Sequence, residues 1–201
     1  MPLPARFQFY IDFKSPYAYL ARDPTRALAR ATGASIDWLP YILDIPAYLG
    51  SARVDDQGRV LEEARNAHQW RRVRYSYMDC RRQARKQGLT IRGTQKIWDS
   101  ALAAAGMLHA KRHGPDALDD YVDAVFDRFW RRELDIENVA ALAPLLPGGF
   151  AAEADALRAE VAHVSREAEA MGVFGVPTYV LDGEVFWGRE HLEDIAAMLR
   201  A

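Results

Sequence analysis

Pro177-Thr-Tyr-Val-Leu-Asp-Gly-Glu-Val-Phe-Trp187 reads as a hairpin introduced by a proline. Two short apolar runs, Thr178–Leu181 and Glu184–Trp187, flank Asp182-Gly183, a pair favoured in type I′ turns because both central residues need positive φ. Two antiparallel strands therefore follow Pro177. Beyond Gly188, the spacing of Leu192, Ile195, Met198 and Leu199 predicts a closing amphipathic helix, so the chain finishes in the order ββα.

The other end supplies the complement. Phe7, Phe9, Ile11 and Phe13 alternate with Gln8, Tyr10 and Asp12, the period of a strand. At its end stands Ser15-Pro16, an N-cap residue followed by a proline, whose missing N–H would be unpaired at the first helical position anyway. A helix begins there. Asp23-Pro24 repeats the pattern and predicts a kink or restart before the helix stops near Gly33. A short strand over 35–39 completes a βαβ unit, with parallel strands and a right-handed crossover.

From about Ile45 to Gly172 the periodicity is helical, and the stretch reads as an all-helical block. Around Trp70 to Gln87, Trp70, Val73, Tyr77, Cys80 and Ala84 share one helix face. Arg71, Arg72, Arg82, Arg85 and Lys86 occupy the other, a charged face of the kind that is usually just solvated. Leu118, Tyr121, Val122, Val125, Phe126 and Phe129 mark a second amphipathic helix. Asp135 is placed as the N-cap of a third, closed by the PLLPGG stretch from Pro144 to Gly149. An acidic, alanine-rich helix over about 151–171 leads back to the hairpin. The order βαβ, helical block, ββα is that of an α/β thioredoxin-like fold with an all-helical domain inserted in its middle. The expected division is 1–44 and 160–201 for the thioredoxin-like part and 45–159 for the insertion. In such a fold two places matter: the N-terminus of the first helix and the loop before a cis-proline.

Composition narrows the classes of function. The chain has 201 residues, 50% of them hydrophobic, enough for a core of its own, and a formal net charge of −2 gives no general pull toward nucleic acid or an anionic membrane. Its single cysteine, Cys80, excludes an internal disulfide and a CxxC redox pair, which fits a reducing compartment, and on the apolar stripe it reads as a small core residue. With no leader-like N-terminus and no apolar run of membrane-spanning length, the expected location is cytoplasmic, with neither nucleic acid nor membrane as partner. His109 and His113 have the i, i+4 spacing of metal ligands but precede Gly114 at a helix end, where they suit the dipole; no metal is expected.

Three motifs carry a resemblance. DFKSPYAYLA (Asp12 to Ala21), MGVFGVPT (Met171 to Thr178) and FWGREHL (Phe186 to Leu192) are similar, in this order, to segments of the 2-hydroxychromene-2-carboxylate isomerases and kappa-class glutathione transferases. The resemblance implies a glutathione site, with Ser15 as the catalytic hydroxyl where redox relatives keep a cysteine. It implies that Val176, before a cis Pro177, pairs with the cysteinyl backbone of glutathione. Trp187, Gly188, Arg189 and Glu190 would receive its γ-glutamyl end, the Glu190 carboxylate accepting the ammonium. Physics agrees with the position of Ser15, because the positive end of a helix favours a thiolate and a serine hydroxyl donates to it without competing as a nucleophile. Lys14, Tyr17 and Trp98 are candidate contacts to a small, anionic, aromatic substrate, with Lys14 able instead to favour the thiolate or to point to solvent. The resemblance further implies a homodimer and leaves three readings open: the isomerase, a kappa-like glutathione transferase, and a non-redox thioredoxin-fold binding or chaperone module.

Overall fold

Phe7, Phe9 and Tyr179 explain how the sheet closes. A computed structural model describes residues 6–200. In it β1 (Arg6–Ile11) pairs in parallel with β2 (Ser35–Pro40) and antiparallel with β5 (Thr178–Leu181), which turns into β6 (Glu184–Trp187). The sheet order is β2-β1-β5-β6. The turn between β5 and β6 has Asp182 at φ 51° and Gly183 at φ 83°, as the type I′ reading requires. Phe9 stacks on Tyr179 at 4.7 Å and leans on Trp38 at 4.9 Å, so apolar contacts cross three strands on one face.

On that face lies α1 (Pro16–Thr32), whose Thr25 hydroxyl meets the Tyr179 hydroxyl at 2.8 Å, with α8 (Leu192–Met198) packed beside it. The helix is assigned without a break through Pro24, so no restart occurs there. Proline removes the N–H that the Leu20 carbonyl would accept, and two side chains replace it: Arg189 Nη1 at 3.1 Å and Gln87 Nε2 at 3.3 Å. The carbonyl that the proline orphans is thereby satisfied from outside the helix.

Between the halves of the sheet run α2 (Ile45–Leu49), α3 (Ala67–Lys86), α4 (Ala101–Arg112), α5 (Pro115–Trp130), the single turn α6 (Val139–Leu142) and α7 (Phe150–Ala170). The block is not wholly helical. β3 (Ala52–Val54) and β4 (Val60–Glu63) form an antiparallel hairpin whose second strand is exposed along its whole length. Asn138, not Asp135, caps α6, accepting from Ala140 at 2.8 Å, while Asp135 accepts from the Glu137 N–H. The expected boundary at 159/160 falls inside α7, which packs on α4 and on β2, and one continuous apolar core links strand and helix residues. Arg22 of α1, buried, pairs with Asp123 and Asp127 of α5, tying the first helix to the block.

Candidate active site

Asp12 sets the turn between β1 and α1. Its buried carboxylate accepts the Lys14 N–H at 3.1 Å and the Leu43 N–H at 2.8 Å, and its carbonyl accepts the Ser15 N–H at 2.9 Å. The Lys14 ammonium lies 3.4 Å from the same carboxylate, with its side chain 5% exposed. Lys14 thus does not point to solvent; two buried opposite charges compensate each other at the turn. Sequence alternation placed Asp12 on a polar strand face but gave no sign that this face is covered.

Ser15 follows, buried, with φ −92° and ψ 114°, and its Oγ accepts the Ala18 N–H at 3.2 Å. This is the expected cap. One bond accepted leaves the hydroxyl proton free, and no protein acceptor takes it among the described residues. The proton therefore stands at the positive end of a 17-residue helix.

The second element is the cis peptide Val176–Pro177. The β1–β5 register ends at Tyr10 opposite Thr178, so the cis-proline loop leads into β5 at the end of the sheet where β1 runs into the Ser15 turn. The main-chain N–H and C=O of Val176 have no protein partner among the described residues, although the residue is buried. Such unpaired groups are what an added extended peptide would engage.

The Gly188 N–H donates to the Pro177 carbonyl at 2.9 Å, joining the end of β6 to the cis-proline loop. Gly188 has φ 106°, a conformation that favours glycine, and the Glu190 carboxylate folds into the space a Cβ would take. Glu190 is exposed and has no cationic partner among the described residues. A Cβ on Gly175 would meet Trp187 Nε1 at 2.8 Å, and Trp187, half exposed, leans on exposed Phe174 with ring centroids 5.1 Å apart. Val176, Pro177, Trp187, Gly188 and Glu190 thus form one rim. The Arg189 side chain does not join it: its guanidinium is taken by Leu20 and by Gln83.

Tyr17 turns toward α3, with its hydroxyl 3.3 Å from Asp79, and burial raises it above the ordinary phenol range, helped by Cys80 and Asp79. Cys80 is fully buried, and desolvation pushes its thiol up to about 12, so it is inert core, as read from the stripe. Tyr48, on α2, is pushed up to about 12 by burial and then by the charges of Asp12, Tyr41 and Asp44, with Arg72 opposing. Trp98 packs edge-on against Phe129 under the Lys96 ammonium, within the helical block, and among the described residues no hydrogen bond or ring contact joins it to Ser15.

His109 lies buried between Glu153 and the Pro147 carbonyl, each 3.1 Å from a ring nitrogen, a structural setting. Among the described residues no group of three or more His, Cys, Asp or Glu is gathered as for a metal ion, and no helix is long and apolar enough to cross a membrane.

Comparison with known proteins agrees with this layout. Residues 6–200 match the DSBA-like thioredoxin domain family. A 2-hydroxychromene-2-carboxylate isomerase from Sphingobium xenophagum is 28% identical over 203 residues, covering 95% of this chain and 96% of its own length. Among solved structures, a 2-hydroxychromene-2-carboxylate isomerase superposes with a TM-score of 0.70 at 22% identity, covering 96% of this chain and 94% of that one. The cytosolic disulfide reductase DsbM from Pseudomonas aeruginosa, solved with GSH, superposes with a TM-score of 0.59 at 22% identity, each chain covered to 96%.

Proposed function

The chain belongs to the DSBA-like thioredoxin domain family, and from that premise we propose that it is a glutathione-dependent isomerase of the 2-hydroxychromene-2-carboxylate type. The reading rests above all on Ser15, whose free hydroxyl proton faces no protein acceptor at the N-terminus of α1, beside the unpaired main chain of Val176. A cysteine at that position would make a redox enzyme; serine makes a holder of someone else's sulfur. The 28% identity to a named isomerase along nearly the whole chain favours isomerisation over the other chemistries of the fold.

The donor set suits glutathione at each of its ends. Val176 offers an N–H and a C=O to the cysteinyl unit, and Glu190 offers an uncompensated carboxylate to the γ-glutamyl ammonium. The exposed Trp187 and Phe174 rings offer that end an apolar surface. When bound, glutathione supplies the nucleophilic sulfur that the inert Cys80 cannot. Ser15 then donates its proton in a hydrogen bond to a sulfur anion and is not consumed, since its own ionisation lies far too high. The α1 dipole favours the same negative charge. Lys14, with Asp12 as counter-charge, stiffens the turn that aims Ser15.

Two measurements test this together. Millimolar glutathione raises Tm, by about 5–10 °C at a hundredfold excess over Kd, since about 2.7 kcal/mol of linkage is worth 2–4 °C per kcal/mol in a chain of this size. Turnover of 2-hydroxychromene-2-carboxylate, followed by ultraviolet absorbance, requires glutathione without consuming it. Absence of both effects refutes the proposal; a consumed thiol with an adduct as product replaces isomerase by transferase.

A further inference from the structure

A second cavity opens on the other side of α3. It holds about 470 Å³ and is lined by β3, the outer face of α3, the 93–97 loop and Arg132 after α5. Its charged lining residues are Arg65, Arg74, Arg81, Arg85, Lys96 and Arg132, with no aspartate or glutamate among them. Asp79 and Gln83, which meet Tyr17 and Arg189, stand roughly opposite Arg74, Tyr77 and Arg81 at about 3.6 residues per turn. The cavity is thus separate from the Ser15 site.

Such a gathering of cations repels itself unless something negative balances it. The protein supplies little. Lys96 pairs with Glu137, and two more acids stand at the rim, Glu63 accepting from Trp70 Nε1 at 2.7 Å and Asp56 from Gln95 at 3.3 Å. Among the described residues none of the five arginines has a carboxylate within ion-pair distance. Burial lowers the Arg65 guanidinium below its ordinary value, with no carboxylate to hold it up.

The arginines are nonetheless held in place. Arg65 Nε donates to the carbonyls of Leu49 at 3.1 Å and Gly50 at 3.4 Å, Arg81 Nε to Ile91 at 3.2 Å, and Arg132 Nε to Gly93 at 2.6 Å. Arg65 and Arg74 also sit over the Trp70 ring and Arg81 over Tyr77, at 5.1 to 5.7 Å. In each of the three anchored side chains the main chain takes Nε, and both Nη groups remain without a protein acceptor among the described residues. Gly93 permits this closeness, since a Cβ there would come 3.3 Å from Arg81 Nη2. Arg132 occupies the left-handed position after α5, φ 63°, where glycine is the usual residue. An arginine is kept there at a conformational cost.

We propose that this cavity binds a compact organic polyanion, bearing at least two phosphate or carboxylate groups, on the free guanidinium edges of Arg65, Arg81 and Arg132. Anchored forks with unpaired Nη groups are what bidentate recognition of such groups needs. The site does not depend on the Ser15 reading, and its test uses no turnover.

The test is calorimetric titration of the full chain at low salt with two probes, inorganic pyrophosphate and benzene-1,3,5-tricarboxylate. Saturable one-to-one binding of either supports the site, and the tighter probe tells a phosphate ligand from a polycarboxylate. Arg132→Gly removes one fork and relieves the positive φ, so the anion Kd rises at least about tenfold while Tm without anion holds or increases. Arg81→Gln gives the same loss of affinity, and Arg166→Gln, an exposed charge on α7, leaves it unchanged. Failure of both probes to bind, undiminished binding by both cavity variants, or an equal loss in Arg166→Gln overturns the proposal.

Discussion

Replacing Ser15 separates its two duties, because alanine and glycine differ as helix caps but equally lack a hydroxyl. The Oγ accepts the Ala18 N–H at 3.2 Å and has its proton to spare. Alanine gives up that capping bond at a cost of about 1 kcal/mol, glycine only a few tenths. In a chain of 201 residues the first corresponds to a fall in Tm of about 2–4 °C, the second to under about 1 °C. If the spare proton stabilises a sulfur anion, both variants lose one charge-assisted hydrogen bond, about 1.5–3 kcal/mol, or roughly ten- to a hundredfold in kcat/KM. The assays are calorimetric melting and initial rates with 2-hydroxychromene-2-carboxylate at saturating glutathione. Stability then ranks wild type, Ser15→Gly, Ser15→Ala, while activity drops equally in both variants. Should Ser15→Gly keep nearly full activity, Ser15 is a cap alone and the chemical role assigned to it is wrong.

Four further outcomes follow from the same geometry. Asp12→Asn leaves the Lys14 ammonium buried and unpaired, costing about 3–5 kcal/mol and lowering Tm by roughly 10 °C; adding Lys14→Met restores part of this, and a double variant no more stable than the single one argues against the pair. Gly188→Ala is strained at φ 106°, costing about 1–3 kcal/mol, and its Cβ displaces the Glu190 carboxylate; it therefore weakens the Tm rise with glutathione, and an undiminished rise would place the γ-glutamyl end elsewhere. Cys80 and Tyr10, both buried, are each pushed up to about 12, chiefly by that burial, so the unfolded chain releases these protons first. Their contribution is intact below about pH 8.5 and is lost as pH climbs toward 12, which a Tm profile over that range reads out. Iodoacetamide at pH 8 correspondingly labels Cys80 only after unfolding, and rapid labelling of the native protein would contradict its burial.

Much of the fold was legible because its outer segments obey strong local rules. Ser15-Pro16 caps α1, Asp182-Gly183 makes the expected turn, and the peptide before Pro177 is cis. Where several rules met on one segment, the reading held. The β3–β4 hairpin escaped because β4 is exposed on both faces and shows no alternation to detect. Pro24 misled for a different reason. Its damage to the helix is repaired by Arg189 and Gln87, residues far along the chain whose partnership no local pattern encodes.

Arg189 and Asp12 show where legibility of the site ends. Motif position put Arg189 on the glutathione rim, yet its guanidinium is spent on the Leu20 carbonyl that Pro24 left free and on Gln83 of α3. The residue serves the site by fixing its frame: one end of the contact is the loop carrying Gly188 and Glu190, the other is the helix carrying Ser15. Asp12 does the same from the opposite side, joining the strand before Ser15 to Leu43, the segment that leads into α2 and Tyr48. Both act across chain separations that periodicity cannot span, and both use polar groups buried at a cost that only several simultaneous partners offset. The candidate hydroxyl could be named from its neighbours in sequence; what holds it still could be found only from its neighbours in space.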